Sequence, residues 1–422
     1  METYPVTVGQ LSVWRELMEI PPERRWEANI QWLWDLPEGT TEPAVRAALV
    51  GLARRHGSLR TRYVDNGAAL PRQWLIEDDD ELEATVHEQV CQGVAPIAEQ
   101  AEAELREQRA VIDVTTHLPF RALLLADGDR PVRLIVIAHH LTADGVAAMI
   151  VREDFMRLLA GEQLPPAPGP RELALEQQGA GDGRLRSAER HWRRTLAAAP
   201  RAAAPACGTA PQRIGARVRT GIPMPMAHAA TATTGASLSS ILLAVYHRAI
   251  CELTGEPRHL MFSLSNNRYG DLQADMVTSL VQWAPLIMEA ELSRPGTPLA
   301  EVVEKVHWKH FSALKHAACS PDAIAAAHAE QPDADAGYHY NPMLAPPGFP
   351  SDDVPMPTAV EYYEPARASG PNFYIIVRGL TSLDLDVRVN RPGWDAPRVA
   401  AFVDRVTHEL NTFARTANVP SV

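Results

Sequence analysis

The sequence predicts a mixed α+β fold built as two lobes, and three observations carry that expectation. At 422 residues the chain is longer than one hydrophobic core needs, so two units with separate interiors are expected. Both halves alternate strand-like and helix-like segments, with no repeat visible between them. Hydrophobic residues make up 46% and charged residues 22%, the balance of a globular protein rather than a disordered one.

The elements follow in order. "TEPAVRAALVGLARRHG" reads as a helix: Thr41 caps it, Pro43 suits its first turn, Val45, Leu49 and Leu52 make an apolar stripe, and Gly57 ends it. "SLRTRYV" is strand-like. The acidic "EDDDELEATVHEQV" and the stretch up to "EQRAVIDV" read as helical with a solvated outer face. "FRALLLA" and "VRLIVIAHH", separated by "DGDRP", read as a hairpin whose second strand is apolar on both faces and therefore interior to a sheet. "VAAMIVREDFMRLLAG" has helical spacing and a stop at Gly161. The Ala/Pro-rich stretches 161–173 and 196–213 read as connectors. Beyond them, "SLSSILLAVYHRAICELTG" reads as a capped helix, "RHLMFSLS", "VQWAPLIMEAEL", "GYHYNPM", "NFYIIVRG" and "LDLDVRVN" as strands, and "APRVAAFVDRVTHELNTFA" as a closing amphipathic helix. The expected division is an N-terminal lobe over 1–175 and a C-terminal lobe over 176–422, with 196–213 linker-like.

A net charge of −12 argues against nucleic-acid binding, and the basic residues are almost all arginine, with lysine only at Lys305, Lys309 and Lys315. No apolar run reaches membrane length and no signal-peptide pattern opens the chain, so a soluble, cytoplasmic monomer is expected. Cys91, Cys207, Cys251 and Cys319 form no C-x-x-C pair and are expected to be buried or incidental thiols.

The chemistry concentrates in "AHHLTADGV", residues 138–146. On an extended strand neighbouring side chains point to opposite faces, so His139 and His140 cannot readily serve one site together; one ring should be buried and the other face a cavity. The same opposition weakens metal binding by the two imidazoles and Asp144, and no metal is expected. Asp144 suits a helix N-cap, and Gly145 would let backbone or substrate approach closely. A histidine titrating near working pH can take a proton from an amine or alcohol as it attacks an acyl group. No G-x-S-x-G elbow, P-loop or G-x-G-x-x-G is present to support other chemistries.

"HHLTADG" fits the H-H-x-x-x-D-G signature of the condensation domains of nonribosomal peptide synthetases and their acyltransferase relatives. The surrounding blocks resemble that family in order: "TVGQLSVW" with Gln10 and Trp14, "RHGSLRTRY" with Arg55, His56, Leu59, Arg60 and Thr61, then "FMRLLAGEQLPPAP", "ERHWRRTLAAAP" and "SLSNNRYGDL" followed by "LVQWAPL". The resemblance implies an α/β sandwich in each of two chloramphenicol-acetyltransferase-like lobes, set in a V with the active site in a channel between them. It implies that His140 is catalytic, that His139, Asp144 and Gly145 support it, and that Arg268 pairs with Asp144, a buried-ion-pair rival to the N-cap reading. Gln282 and Trp283 stand where relatives commonly have Asn-Thr, and Asn341 falls near a polar channel position; strand packing is as good a reading of all three.

What the resemblance implies for function is amide or ester bond formation between a carrier-bound acyl or aminoacyl thioester and an amine or hydroxyl acceptor, small or itself carrier-bound. The resemblance implies further that no cofactor is bound and that the donor rides the phosphopantetheine arm of a separate carrier protein. The chain has no adenylation-sized region and no carrier segment, so a free-standing enzyme acting in trans is expected. Arg184, Arg186, Arg190, Arg193 and Arg194 are candidates to dock an acidic carrier, against the plainer reading of a solvated helix face. Alternatives are a coenzyme A-dependent acyltransferase, whose plant-type D-F-G-W-G block is absent, an epimerisation domain, and a non-catalytic recruitment module on the same scaffold.

Overall fold

The computed structural model describes residues 2–67, 70–178, 183–202, 213–294, 296–344, 356–365, 370–379, 381–391 and 393–417. The chain forms two compact units, one comprising Met1–Arg186 with Asn266–Gln282, the other Ser187–Ser265 with Trp283–Val422. The division expected after residue 175 thus compares with one after residue 186, and a segment from the second half of the chain belongs to the first unit. The core of the linker-like stretch, 203–212, lies outside the described residues, and Cys207 with it.

The first unit begins with β1 (Tyr4–Pro5), α1 (Val8–Glu19), β2 (Asn29–Asp35), α2 (Glu42–Arg55), β3 (Thr61–Val64), β4 (Arg72–Leu75) and α3 (Asp79–Thr85). It continues through β5 (Cys91–Pro96), α4 (Gln100–Arg109), β6 (Phe120–Asp127), β7 (Arg130–His139), α5 (Gly145–Leu159) and α6 (Pro170–Gln178). One sheet has the order β1-β4-β3 and the other β2-β7-β6-β5. The β6–β7 hairpin pairs antiparallel, Phe120 opposite Ala138, and β7 is interior as its apolar run predicts. Its residues alternate between two cores: Leu134, Val136 and Ala138 pack with Val45, Leu49 and Leu52 of α2 and Val151 and Phe155 of α5, while Ile135 and Ile137 pack with Val13, Trp14 and Tyr63.

Three sequence readings are corrected here. The stretch between α3 and α4 is not helical throughout: Cys91–Pro96 forms β5, which pairs parallel to β6 at the sheet edge. Only Ala95 of the six is buried, and Gly93 and Pro96 belong to an edge rather than a strand interior, so the segment carries little strand pattern. The connector expected over 161–173 ends early, because Pro170 opens α6, a position where its missing N–H is harmless. Helix α2 starts at its Thr41 cap but closes at His56, whose amide donates to Leu52 O, one residue before Gly57.

The second unit contains α7 (Gly183–Ala197), which straddles the division, then β8 (Ile214–Pro223), α8 (Met224–Thr234), α9 (Leu238–Thr254) and β9 (Arg258–Ser265). After the short α10 (Asp271–Ala274) of the first unit come β10 (Gln282–Glu289), α11 (Leu299–Leu314), α12 (Pro321–Glu330), β11 (Tyr338–Leu344), β12 (Glu361–Tyr363), β13 (Phe373–Gly379), β14 (Ser382–Val389) and α13 (Ala396–Ala417). Seven strands form one mixed sheet, β10-β9-β11-β13-β14-β8-β12. Helix α9 is capped by Ser237 and stopped by Gly255 at φ +67°, as its sequence predicts. It packs Leu242, Val245, Tyr246 and Ala249 with Ile375, Val377, Leu385 and Val387, and the other sheet face is covered by Trp192 and Leu196 of α7 against Leu260 and Phe262. Among the described residues no single helix is long and apolar enough to cross a membrane; α8 and α9 together pass by length and composition, but they meet at 92° and line this core.

Candidate active site

Strand β7 ends at His139, which faces Asn29 of β2 in register and donates its amide to Pro119 O at 2.8 Å. His140 leaves the strand, with its amide on Ala28 O at 2.8 Å, and the chain then turns, Thr142 N donating to His139 O at 2.9 Å. The two rings therefore sit in different surroundings. His139 is 1% exposed, and its Nδ1 accepts the Leu141 N–H at 3.2 Å, which fixes the Nε2-protonated tautomer. Burial, with a smaller contribution from the neighbouring His140 ring, holds this ring far below the usual histidine range, at about 3, so it stays neutral. His140 is half-buried, with Nδ1 3.4 Å from Ser279 Oγ.

Asp144 performs both the N-cap task read from its position and the ion pairing implied by the family resemblance. It is the N-cap of α5, Oδ1 accepting from Val146 N at 3.1 Å and Ala147 N at 2.9 Å. The same oxygen accepts from an Arg268 Nη at 2.9 Å, while Oδ2 accepts the Leu280 N–H at 2.9 Å. Arg268 also donates to the carbonyls of Gln273 and Met276, each at 2.8 Å, and of Thr278 at 3.3 Å. The pair thus folds Asn266–Gln282 into a tight loop and seats it on the start of α5, which brings Ser279 to His140. Gly145 is exposed, and a Cβ there would meet no other atom within 4 Å, so the close backbone approach expected of it is not seen.

Ser279 was invisible to sequence reasoning, as was the glycine that lets it sit there. A Cβ on Gly9 would lie 2.3 Å from Ser279 O and 3.0 Å from Leu280 Cα, so the helix α1 backbone makes direct contact with this segment. The two blocks around α1 and α2 also have structural tasks. Gln10 forms a capping box with Thr7 and donates to Tyr63 Oη at 3.1 Å and Gln73 Oε1 at 3.2 Å, all buried. Arg55 Nε and His56 Nε2 both meet Asp154 Oδ2, at 2.6 and 2.8 Å, and their hydrogen bonds hold that carboxyl below its usual value although its burial works the other way.

The remaining candidates lie elsewhere in the chain. Gln282 is buried at the start of β10. Trp283 and Asn341, in the second unit, come together around Tyr374: Trp283 packs edge-on to its ring at 5.9 Å and to His339 at 4.8 Å, and Asn341 Nδ2 donates to Tyr374 Oη at 2.8 Å. Arg184, Arg186, Arg190, Arg193 and Arg194 are all exposed on α7, whose opposite face buries Trp192 and Leu196; Arg193 pairs with Glu330 at 3.3 Å.

Comparison with known proteins gives this arrangement a family. Surfactin synthase subunit 2 of Bacillus subtilis (strain 168) is 28% identical over 282 residues, 64% of this chain and 8% of that protein. The chain spans about a tenth or less of the length of the curated relatives it matches. Among solved structures, one on condensation domain-mediated chain release from the enacyloxin polyketide synthase matches with a TM-score of 0.78 at 19% identity, covering 100% of this chain and 84% of that one. The epimerization domain from the third module of tyrocidine synthetase B matches with a TM-score of 0.75 at 15% identity, covering 99% and 98%. These likenesses show the fold. The family model for the condensation domain matches residues 2–335, taking in the histidine pair, Asp144, Arg268 and Ser279, and the chain therefore belongs to the condensation domain family.

Proposed function

We propose that this chain catalyses condensation: it joins an acyl or aminoacyl group, held as a thioester on the phosphopantetheine arm of a carrier protein, to the amine or hydroxyl of an acceptor. Family members are generally acyltransferases that form amide or ester bonds. The observation that carries the reading is the contrast between the two rings: His139 locked neutral in the core, His140 half-buried beside Ser279 Oγ.

In this reading the nucleophile attacks the thioester carbonyl carbon and gives its proton to His140 Nε2, a C–N or C–O bond forms, the C–S bond breaks, and the departing thiolate takes the proton back. For Nε2 to accept, Nδ1 must carry the ring hydrogen, and Ser279 Oγ is its acceptor. Asp144, whose two oxygens already accept four N–H groups, moves no proton and keeps Ser279 in place. The carrier is taken to be a separate protein, and the exposed arginines of α7 suit an acidic docking face.

The test supplies a separately purified, acyl-loaded carrier and an amine or alcohol acceptor in deuterated buffer to wild type and His140→Ala. Joined product from wild type, reduced roughly 10²–10⁴-fold in the variant, supports the proposal. Undiminished product from the variant removes the catalytic role of His140. Deuterium at the α-carbon without joining would make the chain an epimerase instead.

A further inference from the structure

We infer that His247, Cys251 and His259 bind a divalent metal ion of the zinc class, at a site that uses none of the residues of the proposed acyl-transfer chemistry. His247 and Cys251 are four residues apart on α9 and so share a face one turn apart. The helix stops at Gly255, the chain reverses, and β9 brings His259 back beside them. Both histidines are fully buried and Cys251 is half-buried.

The distances suit an ion. Cys251 Sγ lies 3.2 Å from His247 Nε2 and 3.9 Å from His259 Nδ1, and the three ligand atoms are within 4.8 Å of one another. Tetrahedral zinc, with Zn–S of about 2.3 Å and Zn–N of about 2.0–2.1 Å, places sulfur and nitrogen ligands about 3.6 Å apart. The two observed separations bracket that value.

The outer hydrogen bonds point the ligand atoms inward. Thr254 Oγ1 donates its hydrogen to Ile250 O at 2.8 Å, so at its 3.0 Å contact with His259 Nε2 it must accept. His259 is then protonated at Nε2, and its Nδ1 lone pair faces Cys251. The Glu256 carboxylate, 3.7 Å from the same Nε2, reinforces this tautomer. His247 Nδ1 meets Ser293 Oγ at 3.0 Å, an equivalent support on the other ring. Rings held by their far nitrogens are the usual second layer of a histidine metal site. A metal-free thiol, by contrast, offers one hydrogen to two imidazoles. A cation replaces that hydrogen, releases one proton to solvent, and satisfies all three ligands at once. No C-x-x-C pair marks Cys251, which the sequence alone leaves as a buried or incidental thiol.

The experiment uses the full chain purified without a metal-affinity step from zinc-supplemented culture. About one zinc per chain is expected by elemental analysis, and cobalt added to the stripped protein should give a thiolate-to-cobalt charge-transfer absorption. Cys251→Ser, chosen because the side chain is nearly isosteric, keeps Cys91, Cys207 and Cys319 and should lose both signals while retaining the wild-type circular dichroism; His259→Gln is the second variant. Absence of stoichiometric zinc and of the cobalt signal in folded wild type overturns the inference, and so does a cobalt signal that survives in Cys251→Ser. If either variant fails to fold without metal, zinc-dependent thermal stabilisation of wild type, lost on chelation, carries the test, and its absence counts against the site.

Discussion

Replacing Arg268 with alanine is expected to free the segment Asn266–Gln282 without touching either histidine. Arg268 and Asp144 are 4% and 1% exposed, and removing one partner of a buried ion pair costs about 3–5 kcal/mol. Asp144 keeps the N–H groups of Val146, Ala147 and Leu280, so its charge is not stranded, which places the loss at the lower end, about 3 kcal/mol. The carbonyls of Gln273, Met276 and Thr278 lose their common donor as well and can recover partners only by opening to water. A loss of about 3 kcal/mol raises local opening by roughly two orders of magnitude, which hydrogen exchange reads directly at peptides spanning 266–282. Exchange in β13 and β14 should not change. Arg268→Lys should be intermediate, because one ammonium cannot reach four acceptors spread along a planar fork. Exchange of 266–282 within about threefold of wild type in Arg268→Ala would refute the view that this pair holds the segment down.

Two further predictions concern the same unit and the buried histidines. Gly9→Ala forces a methyl against Ser279 O, so it should lower urea stability by about 1–3 kcal/mol and reduce condensation rate more than the stability loss explains; a wild-type rate would show that Ser279 does not position His140. Burial lowers His139 and His339 to about 3 and His310 to about 4, against an ordinary value of 6.5. These rings are neutral when folded and take up protons on unfolding, so their contribution is intact above pH 6.5 and falls as pH drops from there towards the folded values. These three rings alone should raise log K for unfolding by about three for each unit fall in pH between pH 6 and pH 4.5, and a flat profile in equilibrium denaturation over that window would contradict their burial.

How far the sequence carried depends on how local each feature is. The β6–β7 hairpin, α2, α5 and α9 are set by short-range pattern, caps and stops, and each was legible from its own residues. Strand β5 was not, since an edge strand with one buried residue exists because β6 offers it a partner, a long-range fact. The site divides in the same way. His139, His140 and Asp144 stand in one heptapeptide, and the family resemblance added Arg268, 124 residues away. Ser279 has no pattern of its own; it reaches His140 because Arg268 gathers the carbonyls around it and Gly9 leaves it space. The His247, Cys251 and His259 group was missed for a related reason, as two of its members share a helix turn but the third returns on a strand.

Two adjacent histidines at a strand end raise the question of why one would not do. Strand alternation sends His139 into the core, where an imidazole kept neutral gives Nδ1 as acceptor to the Leu141 N–H and so shapes the backbone turn immediately after the strand. A charged side chain there would be expensive to bury, and an aliphatic one would leave that N–H without its acceptor. The turn in turn carries His140 out of the sheet, onto the half-buried side where Ser279 waits, and leads within four residues to Asp144, which anchors the segment bearing Ser279. The first ring therefore fixes the turn while the second stands half-buried beside Ser279, and the pair cannot be exchanged: giving position 139 the place of His140 would require the strand to end one residue earlier and lose the His139 amide bond to Pro119 O.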